Sequence, residues 1–269
     1  MVSFPPCKIN LGLSVIRKRD DGYHDIETCF YPVPLTDVLE VIPADKLSFG
    51  SSGIVIPGDA HDNLCLRAYR LLKDQFNIPP VRIHLHKIIP AGAGLGGGSS
   101  DAAHTLRILN SLFDIGLDEP TLMNLAAQLG SDCSFFVQDQ PMIGSARGEV
   151  LRHSSVSLKG KYLLLLNPGI HVSTAEAYAA LNPGIPALPV DSVVAKPVDS
   201  WKVFLKNDFE ASVLTRFPLV DELRNELYNL GATYASMSGS GSSVYGIFKD
   251  DISTENSTCH SYVIWAGWL

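Results

Sequence analysis

A glycine-dense segment, PAGAGLGGGSSDAA at residues 90 to 103, stands between a stretch that alternates like a strand and one that repeats like a helix. Upstream, VRIHLHKII at 81 to 89 sets Val81, Ile83 and Leu85 against Arg82, His84 and His86, the period of two expected of a strand with one buried face. Downstream, Ala102, Leu106, Leu109 and Phe113 recur at helical spacing, and Ser99, Ser100 and Asp101 offer helix-start chemistry. Strand, loop and helix follow directly. Glycine gives up more conformational freedom on folding than any other residue, so a loop this rich in it needs a reason. A backbone brought close to a ligand and presenting several N–H groups supplies one, and an adjoining helix N-terminus, partly positive, is a seat for phosphate.

Glycine spacing alone does not say which phosphate. Gly92, Gly94 and Gly97 satisfy the G-x-G-x-x-G pattern of dinucleotide sites. That pattern also needs a second strand whose end carries an acidic residue about 20 positions on. Asp114 lies at such a distance, but IGLDEPTLMNLAAQLG follows it. There Asp118-Glu119-Pro120 opens a second helix, Leu122, Leu125, Ala126 and Leu129 line one face, and Gly130 ends it. A Walker loop ends in Gly-Lys before Ser or Thr, and no lysine stands there. Phosphate binding without a Walker lysine is what these residues imply.

The rest of the chain narrows the class. With 269 residues, 46% of them hydrophobic, it is long enough for two packed lobes. A formal net charge of -7 argues against nucleic-acid or anionic-membrane partners, and the one basic run, Arg17-Lys18-Arg19, is followed at once by two aspartates. Five scattered cysteines with no C-x-x-C pair suit a reducing compartment. The greasiest run, YLLLLN at 162 to 167, is too short to span a bilayer, and a cytoplasmic location is the expectation. A helix is expected from about Asn63 to Phe76 with Leu64, Ala68, Leu71 and Leu72 inward, and another from Pro218 to Leu230. The proline-rich stretch from 182 to 200 reads as an irregular connection. Near the C-terminus a strand-like run leads into the loop SGSGSS at 238 to 243 and the strand VYGIF.

Pro90 to Ala103 resembles the second motif of the GHMP kinase superfamily, which groups galacto-, homoserine, mevalonate and phosphomevalonate kinases. PPCKINLGL at 5 to 13 and MSGSGSSVYGIF at 237 to 248 are similar to the other two motifs, in the same order. The resemblance implies an α+β fold of two lobes. The first, 1-150, is an ATP-binding lobe like domain 2 of ribosomal protein S5. The second, 151-269, is ferredoxin-like, with a last strand that either covers an apolar patch or returns to the N-terminal lobe. It further implies ATP as phosphoryl donor with Mg2+. DGYHDIET at 21 to 28, GSDCSFF at 130 to 136, SARGEVL at 145 to 151 and the triple glycine resemble a branch that phosphorylates the 2-hydroxyl of a small cytidyl diphosphate substrate on a route to isoprenoid precursors.

By the same resemblance, Asp132 is the catalytic base and Lys8 its companion. Read from the residues alone, Asp132 is an ordinary aspartate at a helix end, and Lys8 is unusual only for its apolar surroundings. Asn10 would bond substrate hydroxyls, Tyr23 and Tyr178 would sandwich a cytosine ring, His24 would read its edge, and Thr174 would touch the erythritol portion. Pro90, Ala91, Gly92, Ala93, Gly94, Leu95, Gly96, Gly97, Gly98, Ser99 and Ser100 would wrap the ATP phosphates. Asn63 either approaches the adenine or caps a helix, and Ser100 is either a metal ligand or a cap. Gly239, Ser240 and Gly241 either close on the substrate diphosphate or brace the glycine loop. His84 and His86 are expected on a solvent face. Monomer and homodimer both stay open. So do two other functions: a GHMP kinase for another small alcohol, against which DGYH and Tyr178 speak, and a silent nucleotide-binding protein, against which Lys8 and Asp132 speak.

Overall fold

The computed structural model describes residues 1–181 and 183–269. The chain forms two compact units from interleaved segments: Met1–Lys8, Pro32–Ala91 and Gly96–Gln140 in the first, Ile9–Tyr31, Gly92–Leu95 and Pro141–Leu269 in the second. The sequence suggests one boundary near residue 150. The segments interleave instead because two 13-residue strands, Pro6–Lys18 and His24–Thr36, each begin in one unit and continue in the other.

In the first unit the chain runs through β1 (Val2–Ser3), the start of β2 (Pro6–Lys18), the end of β3 (His24–Thr36), β4 (Val38–Pro43), β5 (Ser48–Gly53), α1 (Leu64–Phe76), β6 (Val81–Lys87), α2 (Gly97–Leu112) and α3 (Glu119–Leu129). One sheet has the order β1-β4-β6-β5, with β5 parallel to β6 and the other pairs antiparallel. The alternation of β6 is borne out, since Val81, Ile83 and Leu85 are buried while Arg82, His84 and His86 are exposed. His84 and His86 are not merely solvated: both rings hydrogen-bond Ser52 Oγ at 3.0 Å. Helix α2 packs on β4 and β1, with α1 and α3 against it. It is therefore buried on nearly every side, including Ser100, Asp101, His104 and Thr105, where the spacing predicts a single inward face.

Its start also differs from expectation. The N-cap is Gly96, at φ +69° in the left-handed region that glycine tolerates, and the helix begins at Gly97. Ser99, Ser100 and Asp101 lie inside its first turns and cap nothing. Helix α1 runs as expected but turns its face slightly, burying Cys65, Leu66, Ala68, Tyr69 and Leu72. Asp118 caps α3 by accepting from Thr121 N at 3.0 Å.

The second unit continues with β7 (Met142–Ser145), β8 (Val150–His153), β9 (Tyr162–Leu166), α4 (Thr174–Ala179), α5 (Val190–Val194), α6 (Trp201–Phe204), α7 (Glu210–Arg216), α8 (Pro218–Asn229), β10 (Tyr234–Met237), β11 (Val244–Phe248) and β12 (Val263–Trp268). One sheet has the order β2-β3-β7-β8 and the other β10-β11-β9-β12. Strand β9 lies inside the second sheet with Leu163 to Leu166 fully buried, which accounts for its unbroken apolar run. The proline-rich stretch is more ordered than expected, containing α5 and a 3-10 turn at Val198–Ser200; its first residue, Asn182, lies outside the described residues. The last strand does not return to the N-terminal lobe. β12 pairs antiparallel with β9, and Trp268 meets the Tyr162 ring edge-on at 5.4 Å. No helix among the described residues is long and apolar enough to cross a membrane, and all five cysteines are buried and free.

Candidate active site

Lys8 lies on β2 with 3% of its surface exposed, and its Nζ is 3.3 Å from Asp132 Oδ2. Asp132 follows Gly130, the C-cap of α3, so the helix end delivers the carboxylate to the ammonium. Gly96, at the end of the glycine loop, lies against Lys8. A Cβ added to Gly96 would fall 2.9 Å from the Phe136 ring and 3.1 Å from Lys8 Cε, so only glycine lets α2 begin beside the lysine. Ser100 N is the first amide to bond within the helix, to Gly96 O at 2.9 Å. The amides of Gly97, Gly98 and Ser99 have no intrahelical acceptor, and Gly96 has no side chain to cap them. An ion pair at the partly positive end of a buried helix is equipped to hold phosphate and to move a proton near it.

Two further groups line the first turn. Cys133 bonds the Ser99 side chain, and burial pushes its thiol up to about 12, so it stays protonated. Ser100 Oγ is buried with no hydrogen-bond partner among the described residues. A capping role for Ser100 is thereby corrected, since Gly96 takes that place.

Beneath the loop lies a charged cluster that the motif reading missed. Lys87, 3% exposed, donates to Asp37 Oδ2 and to Asp101 Oδ2, the latter at 3.0 Å. Burial pushes the Asp101 carboxyl up to about 7 despite the nearby ammonium, with the Asp37 charge adding to the rise. Burial alone would lower Lys87, but the charges of Asp101 and Asp37 outweigh it and hold its value raised. The signal was present in the sequence: the alternation that buries Val81, Ile83 and Leu85 puts Lys87 in the next inward position.

In the second unit, loop 238–243 contacts the middle of the glycine loop. Ser238 Oγ donates to Gly94 O at 2.9 Å, and Ser243 N donates to Ala93 O at 3.2 Å. A Cβ on Gly94 would fall 2.0 Å from Ser238 O, so this approach also demands glycine. Gly239 is held through its carbonyl by Asn207 Nδ2 at 2.8 Å, and Ser240 Oγ pairs with Thr174 Oγ1 at 3.1 Å. Of the two expectations for this loop, bracing is the contact seen.

Asn10 is buried, with Nδ2 donating to Thr28 Oγ1 at 2.9 Å and its amide N–H donating to Ser238 Oγ at 3.3 Å. Asp21-Gly22 makes the expected turn, with Tyr23 N donating to Asp21 Oδ1 at 3.1 Å. His24 itself stacks on Tyr178, ring centroids 4.6 Å apart at 17°, while Tyr23 is exposed beneath the Arg147 guanidinium at 5.0 Å. DGYH and SARGEVL thus meet in space, and Arg147 was overlooked. Burial, helped by the charge of Lys18, lowers the His24 pKa from the ordinary imidazole value and so favours the neutral ring, in which one nitrogen donates and the other accepts. Asn63 is the N-cap of α1, accepting from Cys65 N at 2.9 Å. Among the described residues no three His, Cys, Asp or Glu side chains converge as metal ligands would.

Residues 63–143 match the GHMP kinases N terminal domain and residues 198–256 match the GHMP kinases C terminal domain. The 4-diphosphocytidyl-2-C-methyl-D-erythritol kinase of Cytophaga hutchinsonii is 50% identical over 250 residues, 93% of each chain. That of Bacteroides thetaiotaomicron is 48% identical, again over 93% of each. A crystal structure of 4-(cytidine 5'-diphospho)-2C-methyl-D-erythritol kinase superposes with a TM-score of 0.79 at 35% identity, covering 92% of this chain and 90% of that one. The chain belongs to the GHMP kinases, and within them to the family of 4-diphosphocytidyl-2-C-methyl-D-erythritol kinases.

Proposed function

We propose that the chain transfers the γ-phosphoryl group of ATP to the 2-hydroxyl of 4-diphosphocytidyl-2-C-methyl-D-erythritol. The observation that carries the chemistry is the Lys8–Asp132 pair, 3.3 Å apart, beside the uncapped N-terminus of α2. Phosphoryl transfer asks mainly for positioning and charge stabilisation. The amides of Gly97, Gly98 and Ser99 donate to phosphate oxygens. Asp132 accepts the hydroxyl proton as the new O–P bond forms and the bond from phosphorus to the β-phosphate bridging oxygen breaks, releasing ADP. The Lys8 ammonium favours the ionised carboxylate and balances charge on the group in transit.

Magnesium fits this site as an ion carried by the phosphates, with Ser100 Oγ, the buried hydroxyl there without a partner among the described residues, as the group that would meet it. When bound, it neutralises phosphate charge. For the substrate, Tyr23 offers an aromatic face to the cytosine, and His24, steadied on Tyr178, reads its edge. Asn10, Thr174 and the segment Gly239-Ser240-Gly241, part of the loop that also braces the glycine loop, are proposed to bond the erythritol diphosphate, while Asn63 serves as the cap of α1. ATP turnover assayed with the cytidyl substrate, homoserine, mevalonate and galactose tests the reading. Turnover with the first alone is expected; turnover with another alcohol, or with none, overturns it.

A further inference from the structure

The buried cluster of Lys87, Asp37 and Asp101 touches both stems of the glycine loop. Asp37, between β3 and β4, accepts with Oδ1 from Ile88 N at 2.5 Å and Ile89 N at 2.8 Å, the two residues that lead from β6 into the loop. Its other oxygen accepts from Lys87, and Lys87 donates onward to Asp101 in the early turns of α2, where the loop ends. The fit is close. A Cβ on Gly97 would lie 2.9 Å from Lys87 Nζ and 2.8 Å from Ile89 Cγ2.

Such a cluster is a poor choice for stability alone. Two carboxylates face one ammonium in a buried site, and Asp101 Oδ1 has no hydrogen-bond partner among the described residues. Apolar side chains of similar volume commonly serve stability as well or better than buried charges. What the charges provide is directional geometry, since each hydrogen bond fixes a donor against an acceptor at one place. We infer that Lys87, Asp37 and Asp101 are positioning residues that set the spacing between the two stems of the loop and so aim the amides of Gly97, Gly98 and Ser99 at the ATP phosphates. The inference rests on reading the loop as the ATP phosphate site.

Asp101→Asn tests it, because the amide keeps the size of the side chain and an oxygen for Lys87 while removing the charge. Gly97→Ala is the second probe, wedging a methyl group against the Lys87 ammonium while leaving every charged side chain in place. Both are compared with wild type by thermal unfolding, ATP calorimetry, amide hydrogen exchange and steady-state kinetics. In each folded variant the ATP Kd and KM should rise about tenfold, the loss expected when a charged hydrogen bond is weakened. The KM for the cytidyl substrate should stay within about twofold, and faster exchange should be confined to residues 88, 89 and 97 to 99. If both variants bind ATP like wild type, or lose stability with an unchanged ATP KM, the cluster is structural only and the inference is overturned. Failure of the wild-type protein itself to bind ATP would overturn the phosphate reading beneath it.

Discussion

Lys8 is 3% exposed, and burying an ammonium costs several kcal/mol unless a counter-charge meets it; Asp132 does so at 3.3 Å. Neither residue declares its role in the sequence. A lysine among apolar residues and an aspartate after Gly-Ser gain meaning only when the fold joins positions 8 and 132, and the resemblance supplied that pairing in advance. Asp132→Asn keeps the shape and removes the proton acceptor: kcat should fall about 100-fold or more while the ATP Kd measured by calorimetry stays within about threefold. Near-wild-type turnover would remove the base role. His24 makes a pH prediction. Burial lowers its pKa from the ordinary imidazole value, which favours the neutral ring and moves the gain of charge to more acid pH. The KM for the cytidyl substrate should therefore rise on the acid side as the ring gains its proton, and His24→Gln should flatten that limb; an unchanged limb in the variant would take His24 out of base recognition.

At the scale of elements, the strand-loop-helix order was legible because alternation, glycine density and helical spacing changed sharply at 88 and again near 97. The helix start was not. Ser99, Ser100 and Asp101 have the chemistry of caps, but packing on all sides of α2 required an entry so tight that a left-handed glycine took the position. The same crowding explains the glycines. Gly94 sits at φ +79° with Ser238 O where its Cβ would be, so Gly94→Ala should lower stability by about 2 kcal/mol or more, read as a fall in Tm. A variant as stable as wild type would mean that loop 238–243 does not hold this position. Lys87 escaped notice for a simpler reason: a lysine ending an alternating strand looks like a polar boundary, and only its partners, far apart in sequence, reveal it as core.

For the whole molecule, the α+β class followed from mixed periodicities, but the division of the chain did not. Segment 9–31 joins the second unit because β2 and β3 are long enough to serve both, and strand length of that kind leaves no composition break to read; segment 92–95 joins it through its bonds to loop 238–243. The terminal strand was ambiguous for the same reason: an aromatic, apolar end fits any open sheet edge, and the edge it takes is that of β9. The activity of the intact chain is the central claim. Phosphorus NMR of the product formed from ATP and 4-diphosphocytidyl-2-C-methyl-D-erythritol tests it most directly. The account predicts one new phosphomonoester, on the 2-hydroxyl, appearing in step with ADP; phosphate on any other oxygen, or ATP consumed only to free phosphate, would contradict it.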